Sequence, residues 1–211
     1  MSASLIIAQY DEDVSWINKI KYGYITKIYL YTKNSNNITP IIHSNIPIYR
    51  TYLPNIGREG HTYLYHIVHN YHNLSDMNIF VQGTPCIDVE IFNKDIDDLS
   101  YKNINLSHMN TIALHENNKI STWRNQPLET VSEDFFEWYN LYIDPEPINP
   151  LYLIYFQANF AVKKQDIYSR NRFYYQNIMN QLNTNNPEVG HFLERCWYYI
   201  FYGQSLSKLG V

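Results

Sequence analysis

Two charged residues stand where the sequence could put them to chemical use. Arg58 comes at the start of a predicted helix, where unpaired backbone N–H groups and the helix dipole favour an anion. Its guanidinium could hold a phosphate with two hydrogen bonds, or it could pair with the neighbouring Glu59. Glu194 interrupts the apolar residues of the last predicted helix, so its carboxylate must be paired, hydrogen-bonded or open to a cleft. In a cleft it could act as a general base toward a hydroxyl group; otherwise it forms a structural ion pair.

Several histidines share the predicted helix that begins at Arg58. His61 lies on the apolar stripe of that helix, which predicts either a hydrogen-bonded core histidine or a group pointing into a cleft. His66, His69 and His72 suggest a zinc site, but the sequence has no H-E-x-x-H pattern and steps of three residues turn around the helix. A solvated helix face is the simpler interpretation of these three residues.

Hydrophobic periodicity and turn residues give the elements that would position these side chains. The N-terminal part predicts strand, strand, strand, helix and strand over about 4–10, 24–31, 48–53, 58–73 and 77–81. The region that follows is poorly patterned and predicts only a short strand at 111–114. The capping box Thr130-x-x-Glu133 then predicts the start of a helix. The remaining predicted elements are a strand over 151–162 and helices over 164–182 and 187–202.

This alternation of strands and helices predicts an α/β fold, with a mainly parallel mixed sheet and helices on both faces. Such sheets bind ligands beyond the carboxyl ends of their strands. We therefore expect four segments to meet in one cleft: Tyr10-Asp11, Lys33-Asn34, Asn55 to Arg58, and Gln82 to Asp88.

Composition limits the class of protein. The 211 residues show no linker or change of composition, which favours one domain over 1–211. A net charge of −4 without a basic run argues against binding to nucleic acid or an anionic membrane surface. The two cysteines, Cys86 and Cys196, are too few for a disulfide framework and are expected to be reduced.

Targeting features are also lacking in the sequence. The start has no signal-peptide pattern and no apolar run has the length of a membrane span, so we expect a soluble protein of the cytoplasm. Abundant Asn, Ile, Tyr and Lys indicate AT-rich codons, as in some large DNA viruses or protists, and a viral protein would work in the host cytoplasm.

Three parts of the chain carry a resemblance to a known family. The segment NIGREGHTYLYHIVHNYHNLSDMNIFVQGTP (55–85), the segment IIAQYDEDVSWI (6–17) and the C-terminal segments at 156–179 and 190–201 resemble the family catalogued as domain of unknown function 3431. That family in turn resembles the GT-A glycosyltransferases. The resemblance implies a single Rossmann-like GT-A domain that transfers a sugar from a UDP- or GDP-linked donor to a glycan or protein acceptor of unknown identity.

The same resemblance implies roles for individual residues. The nucleotide would be held by Tyr10, Asp11, Asp13, Arg58, His61 and Gln82. Asp88 would bind Mn or Mg, and Glu194 would be the catalytic base.

Two departures from the glycosyltransferase pattern leave other functions open. Gln82-Gly83-Thr84 replaces the D-x-D metal motif, and the first strand ends in Tyr10-Asp-Glu-Asp where an asparagine is usual. The alternatives are a nucleotide- or glycan-binding protein without catalysis, and a structural or partner-binding protein on a degenerate GT-A scaffold.

Overall fold

The computed structural model describes residues 1–34, 42–84, 90, 92–94, 109–113, 134–145, 151–155, 158–185 and 187–203. The strands are β1 (Ala3–Gln9), β2 (Ile25–Thr32), β3 (Ile48–Tyr52), β4 (Met77–Gln82), β5 (Met109–Ala113), β6 (Leu151–Tyr155) and β7 (Phe160–Lys163). The helices are α1 (Arg58–Asn70), α2 (Phe135–Tyr142), α3 (Lys164–Ile167), α4 (Arg172–Met179) and α5 (Glu188–Tyr202). Two 3₁₀ helices, Ser15–Lys19 and Tyr71–Asn73, complete the described elements.

The main sheet has the strand order β3-β2-β1-β4-β7. The first four of these strands are parallel, and β7 pairs with β4 in the antiparallel sense. All seven residues of β1 are buried, as expected for a central strand covered on both faces. The α/β fold with a mainly parallel mixed sheet is thus confirmed, and the predicted strand at 111–114 is present as β5, paired with β6.

The two faces of the sheet are covered differently. On one face Phe80 and Phe160 pack with Tyr63 of α1 and Trp197 of α5, with ring centroids 5.0–5.8 Å apart. On the other face Ile7 and its neighbours pack against the 3₁₀ helix Ser15–Lys19 and Phe92. The helices α1 and α5 thus lie on the first face, and the 3₁₀ helix of the β1–β2 connection lies on the second face together with the short helical segment that carries Phe92.

The C-terminal half differs from the predicted elements. The single strand expected over 151–162 is two strands, β6 and β7, which belong to different sheets. The helix expected over 164–182 is also divided, because the Asn171 side chain accepts from the backbone N–H of Tyr174 and begins α4.

The described helix α2 begins at Phe135 with Asp134 as its N-cap. The carboxylate of Asp134 accepts from the backbone N–H groups of Phe136 and Glu137 at the start of this helix. Thr130 and Glu133 lie outside the described residues.

Two further observations concern compartment and redox state. In the described part of the chain, no helix is both long enough and apolar enough to cross a membrane. Cys196 is a free thiol buried in α5, and Cys86 lies outside the described residues.

Candidate functional site

A cleft of about 280 Å³ opens at the carboxyl ends of β1, β2 and β4, beside the start of α1. Its lining consists of Ala8, Gln9, Tyr10, Glu12, Lys33, Asn55, Arg58, Glu59, Thr62, Gln82 and Asn185.

The cleft lies where the sheet topology predicts a site. The chain runs outward from β1 through β2 to β3, then returns through α1 to β4 on the other side of β1. Ligands of open α/β sheets bind outside the carboxyl ends of strands at such a reversal. The four segments expected to converge each contribute a lining residue: Tyr10, Lys33, Asn55 with Arg58, and Gln82.

A strained turn presents Arg58 to this cleft. Gly57 and Arg58 both have left-handed backbone angles, with φ of 62° and 49°. Such a conformation is unfavourable for a residue with a side chain unless its surroundings hold it. The buried ammonium of Lys33 does so by donating to the backbone carbonyl oxygens of Ile56 and Arg58. Burial lowers the pKa of Lys33 to about 8.

Arg58 lies at the cleft and also approaches the neighbouring Glu59. Its guanidinium lines the cleft, and its Nε lies 3.8 Å from Oε2 of Glu59. Its Nη1 lies 3.3 Å from Nδ1 of His191 in α5. Burial, followed by the charge of Arg58, lowers the pKa of His191, so the neutral ring can accept from the guanidinium. His191 thus orients Arg58 from a distant part of the chain.

Two carboxylates in the lining were not expected as site residues. Glu12 folds back so that its Oε2 accepts from the backbone N–H of Tyr10 at 2.6 Å. Glu59 is buried enough that desolvation raises its pKa, an effect the Arg58 charge opposes. The acidic triplet at 11–13 predicts a carboxylate at the end of β1. Only the fold shows that Glu12, the middle residue, is the one that lines the cleft.

Three residues expected to hold a nucleotide are not in the lining. Asp11 is exposed, and the Asp13 carboxylate accepts from the backbone N–H and hydroxyl of Ser15, which lower its pKa. His61 is buried, and burial lowers its pKa to about 4. Its Nδ1 has no hydrogen-bond partner among the described residues, so it is a core histidine without the expected bond.

His66 contradicts the expectation of a solvated face. Its side chain is buried and its Nδ1 lies 2.9 Å from the hydroxyl of Tyr31, whereas His69 and His72 are exposed. Burial lowers the pKa of His66 to about 3. The aromatic rings of β2 cover this part of α1, which helical spacing alone did not show.

Glu194 lies outside the cleft lining. Its Oε2 is 3.6 Å from Nη1 of Arg195, and its side chain is 26% exposed. Its charge contributes to the raised pKa of Glu59, which does line the cleft. The structure thus shows the ion pair that the sequence left as an alternative.

The predicted metal ligand cannot be placed. Asp88 lies outside the described residues. Within the part that is described, no group of three His, Cys, Asp or Glu side chains comes together as a metal site.

Comparison with known proteins identifies the family of the chain. The profile of a family described as "Protein of unknown function (DUF3431)" matches residues 5–208. The chain belongs to this family. The match includes every residue of the cleft lining, so the cleft belongs to the DUF3431 domain itself. No curated protein and no solved structure matched the chain.

Proposed function

We propose that this DUF3431 protein is a glycosyltransferase of the GT-A type that binds a nucleotide-sugar donor in the cleft. The convergence of Tyr10, Arg58 and Gln82 at the carboxyl edge of the parallel strands supports the proposal most directly. Each of these residues was expected there for a nucleotide, and each contributes a different kind of contact.

The chemistry of the lining suggests how the donor would lie. Arg58 and the positive end of the α1 dipole would face the diphosphate. The ring of Tyr10 is 45% exposed and offers a surface for the base, while Gln82 offers hydrogen bonds to a hydroxyl of the ribose or the sugar. Lys33 also lines the cleft, and it donates to two carbonyl oxygens of the turn that carries Arg58.

In the proposed transfer, an acceptor hydroxyl oxygen forms a bond to the anomeric carbon of the donor sugar. The bond from that carbon to the diphosphate oxygen breaks, and the nucleoside diphosphate leaves with the electron pair. A carboxylate takes the proton of the acceptor. Glu59 lies in the cleft with a raised pKa, and is a better-placed candidate for this step than Glu194.

A bound Mn or Mg ion stays a proposal that rests on Asp88. The described residues do not assemble three ligands, although Mg often uses only one or two carboxylates together with substrate phosphates. No step of the proposed transfer is therefore assigned to a metal.

Binding of a nucleotide or glycan without catalysis is the second candidate. The ion pair between Glu194 and Arg195 favours it, because the carboxylate expected to act as base is engaged outside the cleft.

Thermal-shift and calorimetric binding measurements test the proposal with UDP, GDP, UDP-glucose and GDP-mannose, each with and without Mn. We expect at least one of these ligands to raise Tm, since ligand at a hundredfold excess over Kd adds about 2.7 kcal/mol. Arg58→Ala should weaken that ligand by about 1.5–3 kcal/mol, or roughly tenfold or more.

Arg50→Ala is the matched control, because Arg50 is exposed on the outer strand β3. It should leave the affinity unchanged. If Arg58→Ala binds the ligand as tightly as the wild type, the ligand does not bind in this cleft and the proposal is wrong. Hydrolysis of the nucleotide sugar in the absence of an acceptor would show that the protein is a catalyst and not only a binding protein.

A further inference from the structure

Two buried polar side chains of the cleft have unused hydrogen-bonding capacity. Gln9 is 2% exposed and Thr62 is 0% exposed, and both belong to the cleft lining. Among the described residues, no partner reaches Oε1 of Gln9 or Oγ1 of Thr62. Gln9 donates from Nε2 to the carbonyl oxygen of Glu12 at 2.8 Å, which fixes the amide and leaves its oxygen as a free acceptor.

Leaving such groups unpaired costs stability, because each loses its hydrogen bond to water on burial. Unpaired buried hydroxyls also occur in the core, as at Tyr63, whose ring packs against Phe80 and Phe160. The pair in the cleft differs because both residues belong to the cleft lining. The Gln9 acceptor and the Thr62 hydroxyl share this cleft with Arg58. This combination matches a ligand that carries a hydroxyl group close to its phosphate.

We infer that Gln9 and Thr62 form a hydroxyl-recognition subsite beside the anion-binding Arg58. The subsite selects phosphate esters of polyols, such as nucleotides and nucleotide sugars, over bare phosphate or diphosphate. Gln9 accepts from the ligand hydroxyl, and Thr62 donates to it or accepts from it. This inference rests on the proposed binding of a nucleotide sugar in the same cleft.

The discrimination follows from the burial of the two groups. A site built to bond a ligand hydroxyl rejects an analogue that lacks it, since the polar groups of the site then stay unpaired. A ligand that supplies the hydroxyl relieves this cost and gains the bond.

Thr62→Val tests the inference, because valine keeps the shape and β-branching of threonine and removes the hydroxyl. The unliganded variant should have a higher Tm, by about 2–4 °C, since an unpaired buried group has been removed. Its Kd for UDP-glucose or GDP-mannose, whichever the wild type binds, should rise at least about tenfold. Its Kd for inorganic pyrophosphate should not change. A rise in Kd for the free nucleoside diphosphate as well would place the hydroxyl on the ribose, and a rise for the nucleotide sugar alone would place it on the sugar.

Tyr139→Phe is the matched control. It removes an unpaired buried hydroxyl from α2, at a residue that does not line the cleft. It should raise Tm in the same way and leave every Kd unchanged. Thr62→Ser keeps the hydroxyl and should retain the wild-type affinity even with a lower Tm.

The outcomes separate this inference from the proposed function. A wild type that binds nucleotide sugar, together with a Thr62→Val variant that binds it equally well, would overturn the subsite and leave the proposed function standing. An unchanged or lower Tm for Thr62→Val would show that the hydroxyl is already bonded, which also overturns the subsite. A wild type that binds none of these ligands would overturn both.

Discussion

Lys33 lines the cleft and also supports the turn that carries Arg58. Its buried ammonium donates to the carbonyl oxygens of Ile56 and Arg58 across the turn that begins α1. Without these two hydrogen bonds, Arg58 would lose support for its left-handed backbone. Lys33 is therefore a positioning residue.

Lys33→Met should weaken anion binding at Arg58 about tenfold or more, and it should also lower Tm. The reason is that two part-buried carbonyl groups lose a charged donor, and a hydrogen bond to a charged group contributes about 1.5–3 kcal/mol. Titration calorimetry with pyrophosphate and thermal melting measure the two effects. Lys21→Met, at an exposed position before β2, is the control and should change neither. If Lys33→Met binds pyrophosphate as the wild type does, the turn keeps its conformation without Lys33 and the positioning role is wrong.

Glu194→Gln distinguishes a structural carboxylate from a catalytic one. Because Glu194 pairs with Arg195 and lies outside the cleft lining, we expect a loss of about 1–2 kcal/mol in the free energy of unfolding. The loss should stay small because Arg195 also donates to the backbone carbonyl oxygen of His191 at 2.7 Å. Denaturant unfolding and sugar-nucleotide turnover are the measurements. A turnover loss of about two to four orders of magnitude with unchanged stability would instead make Glu194 the base.

At the scale of elements, the entry into α1 decides whether the site forms. Gly57 has a left-handed φ of 62°, and its backbone N–H donates to the carbonyl oxygen of Thr184 at 2.6 Å. A Cβ at this position would come within 2.6 Å of the Cβ atoms of both His61 and Leu182. The glycine is thus required by its backbone angle and by the close approach of the segment that precedes α5.

Gly57→Ala should destabilise the protein by about 2–4 kcal/mol, because the backbone angle is strained for alanine and neither contacting Cβ can move without its backbone. Nucleotide binding should weaken in parallel, since the same turn presents Arg58. Chemical denaturation and calorimetry check the two effects. Gly190→Ala is the control: its added Cβ would meet nothing nearer than 3.6 Å, and alanine favours the helix, so stability should hold or rise. Equal stability of the two variants would refute the assigned strain.

At the scale of the whole molecule, buried histidines link stability to pH. Burial lowers the pKa to about 3 for His66 and to about 4 for His61, and it also lowers the pKa of His191. Between these values and the unfolded value of about 6.5, the unfolded chain binds more protons than the folded one. This contribution to stability is therefore complete above about pH 6.5 and is lost as pH falls toward 4 and 3. The raised pKa of Glu59 acts in the opposite direction, because that carboxyl favours the folded state when it is protonated.

We expect the free energy of unfolding to fall by several kcal/mol between about pH 6.5 and pH 4, with His66 as the largest contributor. His66→Gln keeps an acceptor for Tyr31 and removes the titration, so it should flatten this dependence. His72→Gln, at an exposed position, should leave it as in the wild type. Urea unfolding at a series of pH values measures the slopes, and equal slopes for the two variants would exclude His66 as the cause.

The sequence by itself determined the elements of the N-terminal half and the place of the cleft. The apolar runs of β1, β2 and β4 and the periodicity of α1 are local signals that do not depend on the rest of the chain. Once the strands are parallel, their carboxyl ends must lie at one edge, so Tyr10, Arg58 and Gln82 could be expected together.

Only the tertiary structure decided which side chains enter the cleft and in what state. The choice of Glu12 over Asp11 and Asp13 depends on how the chain folds back after β1, and the support of Arg58 by His191 joins residues 133 positions apart. Burial of His66 and the pairing of Glu194 depend in the same way on packing and rotamers that local sequence does not specify. A periodic pattern predicts which face of an element is apolar, whereas the neighbour on that face and the protonation it imposes come from segments far away in the chain.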